Sequence, residues 1–142
     1  MSFSTHQQVE LKVQKGIRQA EDELVIWIQA ALDSADYPRE GRDKLEEAQF
    51  RNLLRVSDTT ESPEVVKNFL RYQVGREKKW GRGKMSLAER IVADIDGSLK
   101  TKADMIAKEA AGGNSKEIHI ELIRRYLGYG SRHLKYLNDG KN

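Results

Sequence analysis

The chain has 142 residues, with 25 Lys and Arg against 22 Asp and Glu, no cysteine and two prolines. This length predicts one domain, 1–142, with enough chain for a hydrophobic core. The absence of cysteine excludes disulfide frameworks, thiol nucleophiles and cysteine-ligated metal sites, and three histidines make a poor set of metal ligands. We therefore expect neither a cofactor nor an enzymatic activity.

The hydropathy of the chain gives no sign of a membrane. No apolar run approaches the roughly 20 residues that span a bilayer. The beginning, MSFSTHQQVELK, lacks a basic region followed by an apolar stretch, so no signal peptide is predicted. We expect a soluble, cytoplasmic protein with no membrane partner.

The net charge of +3 hides an uneven distribution. Residues 1–62 carry eight Lys/Arg and twelve Asp/Glu, a net of −4, whereas residues 63–142 carry seventeen and ten, a net of +7. One acidic and one basic half indicate either a face that binds polyanions or a protein that stacks on copies of itself. The remaining alternative is an ordinary, highly charged helical surface.

Apolar residues recur every three or four positions along most of the chain, which predicts helices. From Val9 to Ala31 they indicate one long helix over roughly 5–33, capped by Thr5. A short strand over 9–13 is the alternative. Asp36-Tyr37-Pro38 predicts the end of this element, because proline disfavours helical backbone in the residue before it. A loop over 34–42 follows.

The middle of the chain predicts two further helices. The second covers roughly 43–57. The third begins at Ser62-Pro63-Glu64, because a hydroxyl caps a helix, proline fits its first position and an acid suits its positive end. It ends near Gly75. Its predicted buried face consists of Val65, Val66, Phe69, Leu70 and Tyr72.

The last third of the chain completes an all-α fold. Ser86 and Glu89 have the spacing of a capping box, and the apolar phase that follows continues across Gly97. The segment 87–111 is therefore either one kinked helix or two short ones. Gly112-Gly113-Asn114 ends it, and Ser115 caps a last helix over 116–138. The prediction is a small five-helix bundle with a basic loop between helices 3 and 4.

That loop, 71–84, is the first candidate binding segment, with six basic residues against the single acid Glu77. Three glycines allow close approach of a partner, and Trp80 has an aromatic face that can stack on an unpaired base. The alternative is a solvated loop whose tryptophan folds back onto the core. The candidate nucleic-acid contacts are Arg71, Arg76, Lys78, Lys79, Trp80, Arg82 and Lys84.

The last helix carries a second basic set with no acid between positions 124 and 135: Arg124, Arg125, Arg132 and Lys135. Three of them share one face. Beside them runs an aromatic stripe of Tyr126, Tyr129, His133 and Tyr136, which indicates nucleic-acid contact, a protein interface or plain packing. Gly128 and Gly130 weaken a helix, so they predict a close approach to another element.

Catalytic patterns are weak. The spacing of Arg125, Arg132 and His133 departs from the Arg–His motif of helical HEPN ribonucleases, so we do not expect a nuclease. Gly81-Arg82-Gly83 is neither a dinucleotide fingerprint nor a Walker loop. The acidic clusters Glu21-Asp22-Glu23 and Glu46-Glu47 indicate solvated helix faces, or surfaces that meet a neighbouring subunit.

Four stretches resemble the small helical subunits of type III CRISPR effector complexes. They are EAQFRNLL at 47–54, VVKNFLRY at 65–72, LIRRYLGY at 122–129 and RHLKYL at 132–137. The resemblance implies a non-catalytic, RNA-binding subunit of a ribonucleoprotein complex in antiviral defence. Its partners would be guide and target RNA, other effector subunits and copies of itself in a filament-like assembly.

The resemblance also implies which residues contact RNA: Arg51, Arg55, Arg71, Arg124, Arg125 and Arg132. Contacts to phosphate and sugar would give affinity without sequence preference. The alternative function is a helical protein–protein adaptor or a DNA-binding regulatory module.

Overall fold

A computed structural model describes residues 4–140. Over these residues the chain is all-α, which confirms the predicted class, but it forms six helices and not five. They are α1, Thr5–Gln19; α2, Glu21–Ser34; α3, Glu47–Asp58; α4, Pro63–Arg76; α5, which joins Leu87–Asp94 and Lys100–Glu109 through a π-helical turn, Ile95–Leu99; and α6, Ser115–Lys135, extended by a second π-helical turn, Tyr136–Gly140. None of the described helices is long and apolar enough to cross a membrane.

The predicted long helix over 5–33 is wrong, because the chain forms two helices that meet at Ala20. The N–H of Ala20 is shared between the carbonyls of Gly16 and Ile17, each 3.1 Å away. The acidic run that follows favours the start of a new helix, since carboxylates stabilise its positive end. Residues 9–13 lie within α1, so the strand alternative is also wrong.

Polar side chains start most of the helices. The predicted start of α4 is confirmed, since the Ser62 hydroxyl accepts the Val65 N–H at 3.4 Å and Pro63 is the first helical residue. Two other caps lie one residue before the predicted ones. Ser4, and not Thr5, accepts the N–H that starts α1, and Asn114, and not Ser115, caps α6.

The segment predicted as one helix or two is continuous across Gly97, through the π-helical turn of α5. This turn makes two contacts with other helices. His119 of α6 lies with its Nε2 atom 2.7 Å from the Ile95 carbonyl oxygen, and the Lys67 ammonium of α4 lies 2.7 Å from the Asp96 carboxylate. Both contacts tie the turn to the bundle.

Helix α6 is the central element of the bundle and packs along α2, α3 and the second half of α5. At Gly130 a Cβ atom would lie 2.6 Å from the Phe50 ring and 2.8 Å from Ile28, so the close approach predicted there is confirmed. Gly128 faces open space, so the same prediction is wrong for that residue. The apolar residues of all six helices form one core cluster.

Two loops, 35–46 and 77–86, pack against each other at one end of the bundle. The Asp36 N–H donates to the Met85 carbonyl at 2.8 Å, and the Asp36 carbonyl accepts the Leu87 N–H at 3.0 Å. Gly81 has φ +78° and lies so close that a Cβ atom would be 2.3 Å from the Asp36 carbonyl oxygen. Only glycine tolerates this combination of backbone angle and proximity. The basic loop is therefore held in place by the protein itself.

Candidate nucleic-acid interface

The structure places Trp80 in the core, which overturns its predicted role as a base-stacking platform. Its side chain is 0% exposed, and its ring lies 5.2 Å from that of Phe50. The Trp80 carbonyl accepts the N–H of Ala88 at 3.2 Å, which fixes the loop to the first turn of α5. A large aromatic side chain gains more from burial than from exposure in a short loop. Trp80 therefore anchors the basic loop.

Two of the predicted contacts, Lys79 and Arg82, donate hydrogen bonds to backbone carbonyls. The Lys79 ammonium lies 3.1 Å from the Lys44 carbonyl and 3.4 Å from that of Arg42, and so joins the two loops. The Arg82 guanidinium donates to the Val74 carbonyl at 3.2 Å, near the negative end of α4. These carbonyls do not neutralise the cations, so both residues add positive charge to this end of the bundle.

The other cations of 71–84 are Arg71, Arg76, Lys78 and Lys84, and all four are exposed. Within residues 4–140, none of the six basic residues of this segment forms an ion pair with a carboxylate. Six charges without carboxylate partners create a positive field that favours anions. We call this segment, from Arg71 to Lys84, the basic end.

Tyr72 also belongs to the basic end, and its side chain faces solvent. Its predicted burial is wrong, because it is 54% exposed. The Arg76 guanidinium lies 5.5 Å from the centre of its ring and donates to its hydroxyl at 3.1 Å. Because α4 buries Val66 and Leu70, residues 65, 69 and 72 fall on a different face. The sequence of α4 shows both apolar stripes but not which of them is buried, so it gave no signal that Tyr72 is exposed.

The second predicted set, on α6, is largely engaged within the protein. The Arg124 guanidinium donates to the carbonyls of Ser57 and Thr60, both at 2.8 Å, and so satisfies the end of α3. It also pairs with Asp58, Glu61 and Glu121 at 3.4–3.9 Å. Its side chain is only 22% exposed.

Arg125 has carboxylate partners as well, Glu121 and Glu21, each at 3.0 Å. These acids hold the pKa of its guanidinium above its usual value against the opposing effect of burial. The ion pair with Glu21 joins α6 to the start of α2. Arg124 and Arg125 thus act as structural cross-links between helices.

The aromatic stripe predicted beside these arginines is divided by the fold. Tyr126 is fully buried, and its hydroxyl donates to the Asp94 carboxylate of α5 at 2.5 Å. Burial and the nearby Asp94 raise the pKa of Tyr126 well above its usual value. His133 lies with its Nε2 atom 3.0 Å from Asp33 of α2, and Tyr136 stacks beside it. Tyr126 therefore serves packing, which was one of the three alternatives.

The remaining predicted contacts lie on the surface of α3 and α6, and two of them pair with acids. Lys135 pairs with Asp139 at 2.5 Å, and Arg51 lies 3.9 Å from Glu47. Arg55 contacts Asn52, while Arg132 is exposed with its guanidinium 5.9 Å from the Tyr129 ring centre. These four residues do not belong to the basic end.

The geometry of the basic end is suited to binding an anionic chain by charge and stacking. In residues 4–140 no group of three or more His, Asp and Glu residues is placed to hold a metal ion. In comparisons with protein-family models, curated proteins and solved structures, the chain matched none of them. The resemblance to CRISPR small subunits therefore stays a prediction.

Proposed function

We propose that this protein is a non-catalytic helical subunit that binds the sugar–phosphate backbone of RNA through its basic end. One observation carries the proposal: the six cations of 71–84 have no carboxylate partner in the described chain, whereas Arg124 and Arg125 are paired. Unpaired cations release counterions when they meet phosphates, which is the main source of sequence-independent affinity.

Tyr72 supports RNA as the anion. An exposed ring beside an arginine gives a base a stacking partner, which contributes about 1–3 kcal/mol per base. Gly75, one turn beyond Arg71, has no neighbouring side chain within 4 Å of the place where a Cβ atom would lie, so the surface beside that arginine is uncovered. Single-stranded RNA offers both unpaired bases and phosphates, so it matches both parts of the basic end.

The setting of this function comes from the resemblance alone. We propose a type III CRISPR effector complex, in which the RNA is the guide and its target and the partners are other effector subunits and copies of this chain. The contribution to antiviral defence would be to hold RNA and neighbouring subunits in register, without cleavage. Co-purification of a small RNA with the native complex tests this setting separately.

A triple charge reversal tests the RNA-binding face. Arg71→Glu/Arg76→Glu/Lys84→Glu removes three cations that make no contact with loop carbonyls. The matched control, Lys12→Glu/Lys108→Glu/Lys116→Glu, removes three exposed cations elsewhere. Binding of an unstructured RNA of about 20 nucleotides is measured by fluorescence anisotropy at several salt concentrations.

We expect the wild-type protein and the control to bind with a log–log salt slope of about −2 or steeper, because the three cations that the test variant removes would alone contribute about −0.7 each. Between about 50 and about 200 mM salt, the affinity should then fall at least about 20-fold. The test variant should lose most of both the affinity and the slope. Equal losses in the control, or salt-independent binding by the wild type, would contradict the proposal.

The connection between α3 and α4 favours a DNA-binding module as the second candidate. Residues 59–62 form a turn of the length found in helix-turn-helix pairs. However, the start of α4, which would enter the major groove, presents Glu64, and Lys67 is buried in ion pairs with Glu64 and Asp96. Duplex DNA binding more tightly than RNA in the same assay would favour this candidate.

A further inference from the structure

A groove with an apolar floor lies between α1 and the first turns of α6. Its volume is about 620 Å³, and its floor contains Val9, Val13, Ile17 and Ile118. Val9 is partly exposed, whereas the other three are nearly fully buried. Gly112 and Gly113 line one end without side chains. Val9 is therefore the residue of this floor that the bundle leaves partly uncovered.

The groove and the loop 77–86 of the basic end lie at opposite ends of α6, although Glu61, which lines the groove, is ten residues before Arg71. The groove reaches Glu117 in the first turn of α6, whereas Asn138, beyond the other end of that helix, donates to the Leu45 carbonyl beside the basic loop. About 20 helical residues separate these positions, which corresponds to about 30 Å. A ligand of the groove is therefore distant from RNA bound at the loop part of the basic end.

The rim of the groove is acidic. Four carboxylates and one guanidinium line it, a net of −3: Glu10, Glu61, Glu117, Glu121 and Arg124. Arg124 is already engaged by the carbonyls of Ser57 and Thr60 and by its acidic neighbours. In the described chain Glu10 and Glu117 have no cationic partner. This field repels phosphate groups and attracts basic groups.

The shape of the groove matches a helix. The lining residues of α1 run from His6 to Ile17 at intervals of three and four, so they form one helical face about 16 Å long. A third helix laid against two others packs at about 8–10 Å and inserts apolar residues at i, i+4 and i+7. Lysine or arginine beside those residues would meet the glutamates of the rim.

We propose that this groove binds a basic amphipathic helix of a partner protein. The apolar residues of that helix cover Val9 and the floor, and its cations pair with Glu10 and Glu117. The acidic rim would repel an RNA backbone and an acidic peptide alike. A uniformly polar peptide would leave the apolar floor without an apolar partner. The inference does not rest on the RNA-binding proposal.

The probe is a fluorescein-labelled helical peptide of about 18 residues, built only from leucine on one face and lysine on the other. A scrambled peptide of the same composition controls for charge alone. Glu10→Lys/Glu117→Lys reverses the rim, and Asp22→Lys/Glu109→Lys makes the same change in charge at exposed sites away from the groove. Circular dichroism confirms that each variant is folded, and amide chemical shifts locate the bound peptide.

We expect the wild-type protein and the control variant to bind the amphipathic peptide about equally, with shifts at Val9, Val13 and Ile118. The rim variant and the scrambled peptide should each bind about tenfold more weakly or worse, the loss expected when about 1.4 kcal/mol of interaction is removed. RNA binding by the rim variant should not decrease, which separates this proposal from the first.

Three results would overturn the proposal. Equal binding of the scrambled peptide would show a charge effect without a groove. An equal loss in the control variant would show that the site lies elsewhere. Concentration-dependent self-association of the wild type that the rim variant abolishes would assign the groove to a second copy of this chain.

Discussion

Two basic segments of this chain, 71–84 and 124–135, look alike in sequence but contact different groups. In the first, none of the cations has a carboxylate partner in the described structure, and five of the six are exposed. In the second, Arg124 and Arg125 are held by four acids and two backbone carbonyls. The comparison teaches that a run of like charges does not define a binding face. What matters is which elements pack beside it.

The largest effect is expected from removing the anchor of the basic end. Trp80→Ala deletes a fully buried indole that packs on Phe50 and should lower the free energy of unfolding by about 3–5 kcal/mol. That is a large part of the stability of a domain this size. Urea unfolding measures the change.

Trp80→Phe is the matched control for that variant. It keeps an aromatic ring in the core and removes the indole Nε1 atom, which is buried without a hydrogen-bond partner. We expect a much smaller loss than for alanine. A loss below about 1 kcal/mol in Trp80→Ala would mean that the tryptophan does not hold the loop, since fully buried aromatic side chains contribute more.

The comparison is tested directly by removing one arginine from each segment. Arg124→Met leaves the carbonyls of Ser57 and Thr60 without their donor and should destabilise the protein by about 1.5–3 kcal/mol. Arg76→Met, on an exposed surface, should change stability by less than about 0.5 kcal/mol. RNA affinity should fall more in Arg76→Met than in Arg124→Met. If Arg76→Met destabilises the protein more than Arg124→Met does, the structural role belongs to 71–84 and not to 124–135.

The same reasoning extends to His119, a buried polar group of α6 that also serves the fold. Burial lowers the pKa of His119 below its usual value of 6.5, and its neutral ring donates from Nε2 to the Ile95 carbonyl. Below pH 6.5 the unfolded chain therefore takes up a proton before the folded one does. Stability from this group is complete above pH 6.5 and is lost as the pH falls through the folded pKa.

His119→Gln keeps an amide donor for the Ile95 carbonyl and does not titrate. The free energy of unfolding of this variant should therefore lack the decrease that begins near pH 6.5 in the wild type. For one proton, that decrease has a slope of at most about 1.4 kcal/mol per pH unit. Urea midpoints between about pH 7 and about pH 5 measure it. A parallel pH profile in the two proteins would show that His119 does not contribute.

Local signals explain which parts of the fold could be predicted. Ser62 and Pro63 start α4 as expected, because capping depends only on nearby atoms. The break at Ala20 was missed, since the apolar stripe stays in phase through it. The glycine at position 16, one turn before this break, is explained only by packing. Helix α1 lies so close to α5 that a Cβ atom on Gly16 would be 2.8 Å from the Ile106 side chain.

The candidate site was predicted only in part, for a related reason. A sequence shows that Arg71, Arg76 and Lys84 lie near one another along the chain, and the structure keeps them exposed. The sequence does not show that Trp80 packs against Phe50, because the two residues are far apart in the chain. It does not show that Tyr72 faces outward either, because two neighbouring stripes of α4 are equally apolar.

Periodicity, capping and composition are local properties, so the sequence predicts the helical class, the starts of α4 and α5 and the concentration of positive charge after residue 62. Which cations lack a carboxylate partner depends on the packing of the helices. Charges cancel through contacts between residues far apart in the chain, such as Arg125 with Glu21 and Arg124 with Ser57 and Thr60. Those contacts exist only once α6 is packed between its neighbours.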